Sequence, residues 1–322
     1  MKSRPRTPLS LRTVDLFAGC GGLSLGFQKA GFDLVAAYDN WGLALETYRA
    51  NFDHEAHHLD LGKVDAAAKH ISNYTPDVII GGPPCQDFSI AGKRVESSRA
   101  SLTVAFAEIV TRVSPRLVVM ENVYSIEGSR ALTKARTILT RSGYGLTSRI
   151  IDASRAGVPQ MRRRFFLVGA LGFEDDAFGV RLDGNLTKTR MTVADYFRGS
   201  LGVNHYYAHP RTYKRRAIFS IHEPSATIRR VNRPIPRNYE RHPADKVAPS
   251  SAVRPLTFEE RSQLQTFPRS FEFRGSRSQQ EHLMANAVPV NLAKYVAEQV
   301  IAVLSAKDRG LSISPQRSVR VG

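Results

Sequence analysis

Along residues 13–171, short β-rich apolar runs alternate with longer amphipathic stretches. The runs at 13–17, 33–38, 77–80, 116–120, 145–151 and 164–168 predict six strands, with helical patterns filling the gaps between them. Before the fourth of these, Leu102, Phe106, Ile109, Val110 and Val113 recur at three- and four-residue intervals until Pro115 stops the helix. Such alternation predicts an α/β fold built on a doubly wound, mostly parallel sheet. From about residue 172 to 254 the period is lost among Pro, Arg, His and Tyr clusters, which predicts a smaller, irregular second domain. Regularity returns after Pro255, where Thr257 and Glu260 form a capping box for a helix running to about Thr266. A last helix carries the apolar stripe Leu292, Tyr295, Val296, Val300, Val303 and Leu304, which needs a partner surface, most simply the first domain. The expected organisation is therefore 1–171 together with 255–322 as one domain and 172–254 as another.

Charge adds a partner to this picture. Forty-six Lys and Arg against 29 Asp and Glu leave a formal charge of +17 on 322 residues, which points to a polyanion, with nucleic acid ahead of an anionic membrane surface. From 198 to 246 there are eleven Lys or Arg and three acids, a local balance of +8, interleaved with Tyr206, Tyr207, Tyr213, Phe219 and Tyr239. That mixture suits nucleic-acid contact. No apolar run approaches the roughly 20 residues that span a bilayer, so a cytoplasmic protein is expected. Cys20 and Cys85, in separate glycine- and proline-marked loops, suit a reducing compartment better than a disulfide.

Two loops carry candidate chemistry. The run Asp15-Leu-Phe-Ala-Gly-Cys-Gly-Gly-Leu-Ser-Leu-Gly-Phe27 follows the first strand, and its glycines let the backbone approach a ligand at a sheet edge. It lacks both the dinucleotide spacing and the phosphate-loop lysine, while Asp39 closes the second strand where a ribose-binding acid belongs. S-adenosylmethionine fits, with its ribose on Asp39 and its adenine stacked on an aromatic such as Phe17. The strand ending at Ile80 runs into Gly81-Gly-Pro-Pro-Cys-Gln-Asp-Phe-Ser89, a rigid loop that presents the Cys85 thiol, and the next ends in Glu121-Asn-Val123 on the same rim. A thiolate that adds to C6 of cytosine and an acid that supports N3 would make C5 nucleophilic, so Cys85 and Glu121 suit those roles. For Glu121 to donate near neutrality, its carboxyl would have to be buried or shielded. In Gln160-Met-Arg-Arg-Arg164, strand alternation puts Arg162 and Arg164 on one face, away from Arg163, where they could hold a base oxygen and a phosphate.

Taken together these motifs resemble the cytosine C5 DNA methyltransferases of bacterial restriction-modification systems, over residues 13 to about 300 except the variable segment. Arg254-Pro-Leu-Thr257 through Pro268 resembles the segment supporting the recognition domain, and Asn286-Ala-Val-Pro289 the last cofactor-pocket motif, although Ala285 stands where the family usually has Gly. The resemblance implies a cofactor pocket of Phe17, Ala18, Gly19, Cys20, Gly22, Asp39, Asp60, Pro84, Leu102, Asn286 and Val288. It implies catalysis by Cys85, Glu121, Arg162 and Arg164, with Ser89 and Gln160 beside the DNA. It implies that the last helix returns to the first domain, and that a cytosine is flipped out of duplex DNA under the Cys85 loop. Within the basic segment, Arg229, Arg230, Arg233 and Arg237 are the first candidates to read guanine edges, and Lys214 to neutralise phosphate. A monomer acting on double-stranded DNA is expected, without a metal, a membrane or an obligate protein partner. The alternatives are a tRNA cytosine C5 methyltransferase, against which the basic irregular segment argues, and a catalytically silent DNA-binding regulator. The complete set of Cys85, Glu121, Arg162 and Arg164 argues against the latter. An enzyme acting on an exocyclic amine would show Asp/Asn-Pro-Pro-aromatic in place of Pro-Pro-Cys.

Overall fold

A computed structural model describes residues 11–84, 101–212, 215–250 and 252–309. Its first half runs β1 (Arg12–Leu16), α1 (Gly22–Lys29), β2 (Asp33–Asp39), α2 (Gly42–Arg49), β3 (Glu55–His58), α3 (Val64–Ser72), β4 (Val78–Gly81), α4 (Ser101–Val113) and β5 (Leu117–Val123). Then follow α5 (Arg130–Arg141), β6 (Tyr144–Asp152) and β7 (Arg163–Leu171). These strands form one seven-stranded sheet in the order β3-β2-β1-β4-β5-β7-β6. Only β7 opposes its neighbours; the other registers are parallel. The order reverses between β1 and β4, so the chain leaves both strands at one crevice, where ligands of open α/β sheets bind.

Alternation along the strands explains why their apolar runs are nearly continuous. Val78 and Ile80 of β4 join Leu117 and Val119 of β5 in a core with Leu23 and Phe27 of α1. The intervening Ile79, Val118 and Met120 face the opposite way and pack with Phe106, Ile109 and Val110 of α4 and Leu132 and Leu139 of α5. A sheet buried on both faces needs no polar alternation. β3, with the sequence Glu-Ala-His-His, lies at the sheet edge and is a seventh strand where the apolar pattern predicts six; the strand entering the Pro-Pro-Cys loop is thus the fourth in chain order. Ser129 caps α5 by accepting from the Leu132 amide at 3.1 Å.

The remaining elements are α6 (Gly179–Gly184), α7 (Val193–Phe197), β8 (His205–Tyr207), β9 (Ile218–Ser220), β10 (Arg254–Pro255), α8 (Phe258–Leu264), α9 (Arg277–Asn286) and α10 (Val290–Asp308). The capping box opening α8 is present, with Thr257 and Glu260 each bonded to the other's backbone amide. On α10 every residue of the predicted stripe is buried, and the helix lies along α1. Each such aliphatic side chain stabilises the fold by roughly 1.5–3 kcal/mol. The stretch 277–308, α9 and α10 joined through the non-helical residues 287–289, contains a window of mean hydropathy 1.3 and is by length and composition apolar enough to cross a bilayer, which the apolar runs alone do not predict. Two thirds of its most apolar window is buried inside the protein, so burial in the core accounts for that composition.

Two packing facts cross the sequence-drawn boundaries. Phe178 and Leu182, at the start of the aperiodic stretch, belong to the core beneath α10. Conversely Leu256, Leu264 and Met284 complete a separate cluster with Val193, Phe197, Tyr206, Phe219 and Ile228 around the small sheet β10-β8-β9.

Candidate active site

The loop leaving β1 is shaped by its backbone. Phe17 itself takes a left-handed φ of 59°, Gly19 56° and Gly21 93°, and Gly22 is so close to the last motif that a Cβ would stand 2.4 Å from the Val288 carbonyl. Gly22 and Val288 are therefore neighbours because no side chain separates them. Asp39, at the end of β2, reaches across to this loop: one carboxylate oxygen accepts from the Gly19 amide and the other from the Trp41 amide, both at 2.8 Å. Burial pushes the Asp39 carboxyl above its ordinary range, and the amide bonds oppose that rise. Asp60 caps the following turn by accepting from the Gly62 amide at 2.9 Å, and Leu102 lies across the same glycine. Phe17, Pro84 and Leu102 are half-buried, Ala18 and Val288 buried, and Asn286 exposed. Trp41 rests against His282, with ring centroids 5.1 Å apart.

The Cys20 side chain turns into the protein, so only its backbone is left to line a ligand. It is 2% exposed, its thiol donates to the Leu283 carbonyl at 3.7 Å, and burial pushes its pKa up to about 12. A thiol so held is inert at neutral pH. Cys85 and Ser89 lie outside the described residues, as does Lys214.

At the β4 and β5 ends the geometry is close. The Asn122 amide donates to the Pro83 carbonyl at 3.0 Å, fixing the entrance of the Pro-Pro-Cys loop to the strand that carries Glu121. A Cβ on Gly82 would lie 3.4 Å from a Glu121 carboxylate oxygen. Glu121 is 8% exposed, and Arg164 Nε stands 3.0 Å from its Oε1. Burial raises the Glu121 pKa, while the positive charges of Arg164 and Arg162 pull it back. The result is a carboxyl able to carry a proton at a higher pH than a solvated one.

Arg162 and Arg164 do share a side, while Arg163 is exposed and lies over the Tyr124 ring at 5.1 Å. Their tasks differ. The Arg162 guanidinium is 2% exposed and donates to the Ala285 and Ala287 carbonyls, each at 3.1 Å, and to Ile228 at 3.5 Å. It stitches the start of β7 to the last motif and to the small sheet's core, while its charge still acts on Glu121. Gln160 also turns inward. Expected beside DNA, its side chain is wholly buried, donating to Gln265 Oε1 at 2.9 Å and accepting from the Ile228 amide at 3.0 Å.

Arg230, Arg233 and Arg237 are exposed, whereas Arg229 is half-buried and donates to the His209 carbonyl at 2.5 Å. Two residues that sequence reasoning overlooked complete these ties. Gln265 receives Gln160 and donates to the Met284 carbonyl at 2.8 Å. Arg261 pairs with Glu281 inside the protein and also donates to the Arg229 carbonyl. On an amphipathic helix such residues read as surface; the capping box and the resemblance of 254–268 to a supporting segment marked the stretch, but neither singled out these two side chains.

Comparison with known proteins bears directly on this arrangement. The family model of C-5 cytosine-specific DNA methylases matches residues 11–197 and 185–302. Type II methyltransferase M.HgiDI of Herpetosiphon aurantiacus is 52% identical over 297 residues, covering 92% of this chain and 96% of the relative. Type II methyltransferase M.HindV of Haemophilus influenzae is 51% identical over 293 residues, covering 90% and 96% respectively. Among solved structures, the S. pombe Dnmt2 methyltransferase matches with a TM-score of 0.68 at 19% identity, over 93% of this chain and 99% of its own, a likeness of fold. A family model spanning nearly all the described residues, with half of all positions shared with full-length relatives, shows that this chain belongs to the C-5 cytosine-specific DNA methylases and is a DNA cytosine-5 methyltransferase.

Proposed function

We propose that the chain methylates C5 of a cytosine turned out of a specific double-stranded DNA sequence, using S-adenosylmethionine and Cys85 as covalent nucleophile, as the modification enzyme of a restriction-modification system. The observation that carries this reading is the buried Glu121, held by Arg164 at 3.0 Å, with the start of the Pro-Pro-Cys loop bonded to the neighbouring Asn122. In this reading the Cys85 thiolate adds to C6 of the cytosine, and the Glu121 carboxyl stabilises the charge driven onto N3 by donating a hydrogen bond there. The ring electrons so displaced make C5 nucleophilic. After C5 is methylated, loss of its proton returns electrons to the ring, breaks the bond from Cys85 to C6 and releases the thiolate.

The residues at the β1 and β2 ends suit the methyl donor. Asp39 would hold ribose hydroxyls, Asp60 and Phe17 would flank adenine, and the Gly19 to Gly22 turn would admit the amino-acid tail. An independent sign is Asp15, wholly buried beneath this loop with Oδ1 lacking a hydrogen-bond partner among the described residues. A cationic ligand suits such a carboxyl. When bound, S-adenosylmethionine supplies an electrophilic methyl group on a sulfonium. The relatives' designation as Type II methyltransferases supports the restriction-modification role.

Trapping tests the covalent step. Duplex DNA carrying 5-fluorocytosine at the target should remain attached to the wild-type chain, because fluorine cannot leave C5 as a proton does. Cys85→Ser should bind DNA and cofactor yet lose turnover by at least about a thousandfold. Near-normal turnover by that variant would sink the mechanism.

A further inference from the structure

Beside the active-site strand, between Met161 and the 206–231 stretch, lies a cavity of about 620 Å³. We propose that it reads one base of the recognition sequence, with the hydroxyls of Tyr206 and Ser225 as its specificity-determining groups. This rests on the DNA-methylating function proposed above.

The walls identify the occupant. Met161 and Val231, two of the four large hydrophobics exposed among the described residues, at 37% and 36%, both face this cavity. Arg211, Arg215 and Arg229 stand around them, and among the described residues no carboxylate lines the space. Apolar walls with a cationic rim suit a heterocycle attached to phosphate, and the volume falls within the roughly 300–1,000 Å³ of small-ligand sites. A free inorganic anion would leave the apolar walls unused.

Two hydroxyls remain unexplained by the fold. Tyr206 is 2% exposed and Ser225 1%, both line the cavity, and neither hydroxyl has a hydrogen-bond partner among the described residues. Buried polar groups in native proteins are nearly always bonded, so a pair left open on one cavity suggests that a ligand supplies the partner. Each hydroxyl both donates and accepts, as a base edge requires. Their positions are fixed. Tyr206 sits in β8, cross-strand from Phe219; Ser225 accepts from the Met161 amide and donates its own to Pro159, both at 2.8 Å. Ser225 is thereby joined to the segment leading through Arg162 to Arg164 and Glu121, so recognition and chemistry share one rigid piece of chain.

Tyr206→Phe and Ser225→Ala remove no internal hydrogen bond among the described residues, so both variants should fold and melt as the wild type does. The test is methylation of a duplex library randomised around the target cytosine, read by bisulfite sequencing. For the double variant, the rate ratio of the preferred sequence to its single substitutions should fall at one base-pair position by about tenfold, the scale of one lost base contact. Ratios elsewhere should stay within about twofold of wild type. Unchanged ratios at every position would overturn the assignment, as would a loss of rate shared equally by all sequences. A wild-type chain that methylates no duplex would instead overturn the functional reading, and the cavity's role with it.

Discussion

Glu121 shows how much a single side chain depends on what surrounds it. Its desolvation and its ion pair with Arg164 act in opposite directions, and desolvation is the larger, so the proton is held above the ordinary carboxyl range. If the proton is the one donated to N3, turnover should fall as pH rises through that raised value, and Glu121→Gln, which cannot lose its donor, should flatten the alkaline limb. Glu121→Ala should lower kcat by about 10²–10⁴ at all pH values. An unchanged limb in the Gln variant would assign it to another group. Asp15 gives a second, structural prediction. Its burial pushes the pKa up to about 8 from 3.8, against the opposing hydrogen bonds from the Ser24 hydroxyl, at 2.6 Å, and the Ser24 backbone amide. A folded value above the unfolded one means its stability contribution is full below the unfolded pKa and is lost as pH rises through about 8. Asp15→Asn should therefore melt above the wild type at pH 9, by on the order of a few kcal/mol, with the margin shrinking steadily toward pH 4. A margin independent of pH would show that Asp15 does not ionise differently on folding. At this scale the sequence revealed residue types and left their partners hidden: Arg162 and Gln160 read as ligand-facing because nothing local announces that carbonyl and amide groups 66 to 125 residues away will take them up.

Among elements, the strongest signals were those in which local and tertiary requirements agree. The period of α4, the capping box of α8 and the stripe of α10 all emerged from spacing, since each helix has one face to bury. β3 escaped because an edge strand reading Glu-Ala-His-His buries little and carries no apolar run. The glycines of α1 were legible only as a ligand loop, yet Gly26 serves packing. A Cβ there would lie 2.3 Å from Ala293 Cβ and 2.7 Å from backbone atoms of α10 that cannot swing aside. Gly26→Ala should therefore destabilise the protein by about 1–3 kcal/mol. Gly42, the first residue of α2, has nothing within 4 Å of its would-be Cβ, and Gly42→Ala should stabilise by about 0.4–1 kcal/mol. Thermal melts of the two variants, one falling and one rising, check the contrast; equal shifts would mean that α1 and α10 separate more readily than their contact implies.

For the molecule as a whole, the aperiodic stretch and its charge suggested a recognition unit at 172–254, and the packing argues for different limits. Phe178 and Leu182 are anchored in the core under α10, so cutting at 172 removes part of the catalytic body. Leu256, Leu264 and Met284 fill the core around Tyr206 and Phe219, so cutting at 254 leaves the small sheet without its floor. Gln265 then links that floor to Gln160, and Arg261 links it to the Arg229 carbonyl. We therefore expect 187–286 to behave as the transferable unit. Grafted into a family member of different specificity, this longer segment should give a chimera that methylates this protein's own sequence. The shorter 172–254 graft should melt lower by at least about 5 °C, because it mismatches two cores at once. Bisulfite sequencing of DNA from cells expressing each chimera reads the specificity, and calorimetry the stability. If an active 187–286 chimera keeps the recipient's sequence, the bases are read outside the segment; if both grafts melt alike, the clusters at Phe178 and Leu256 do not set the boundary.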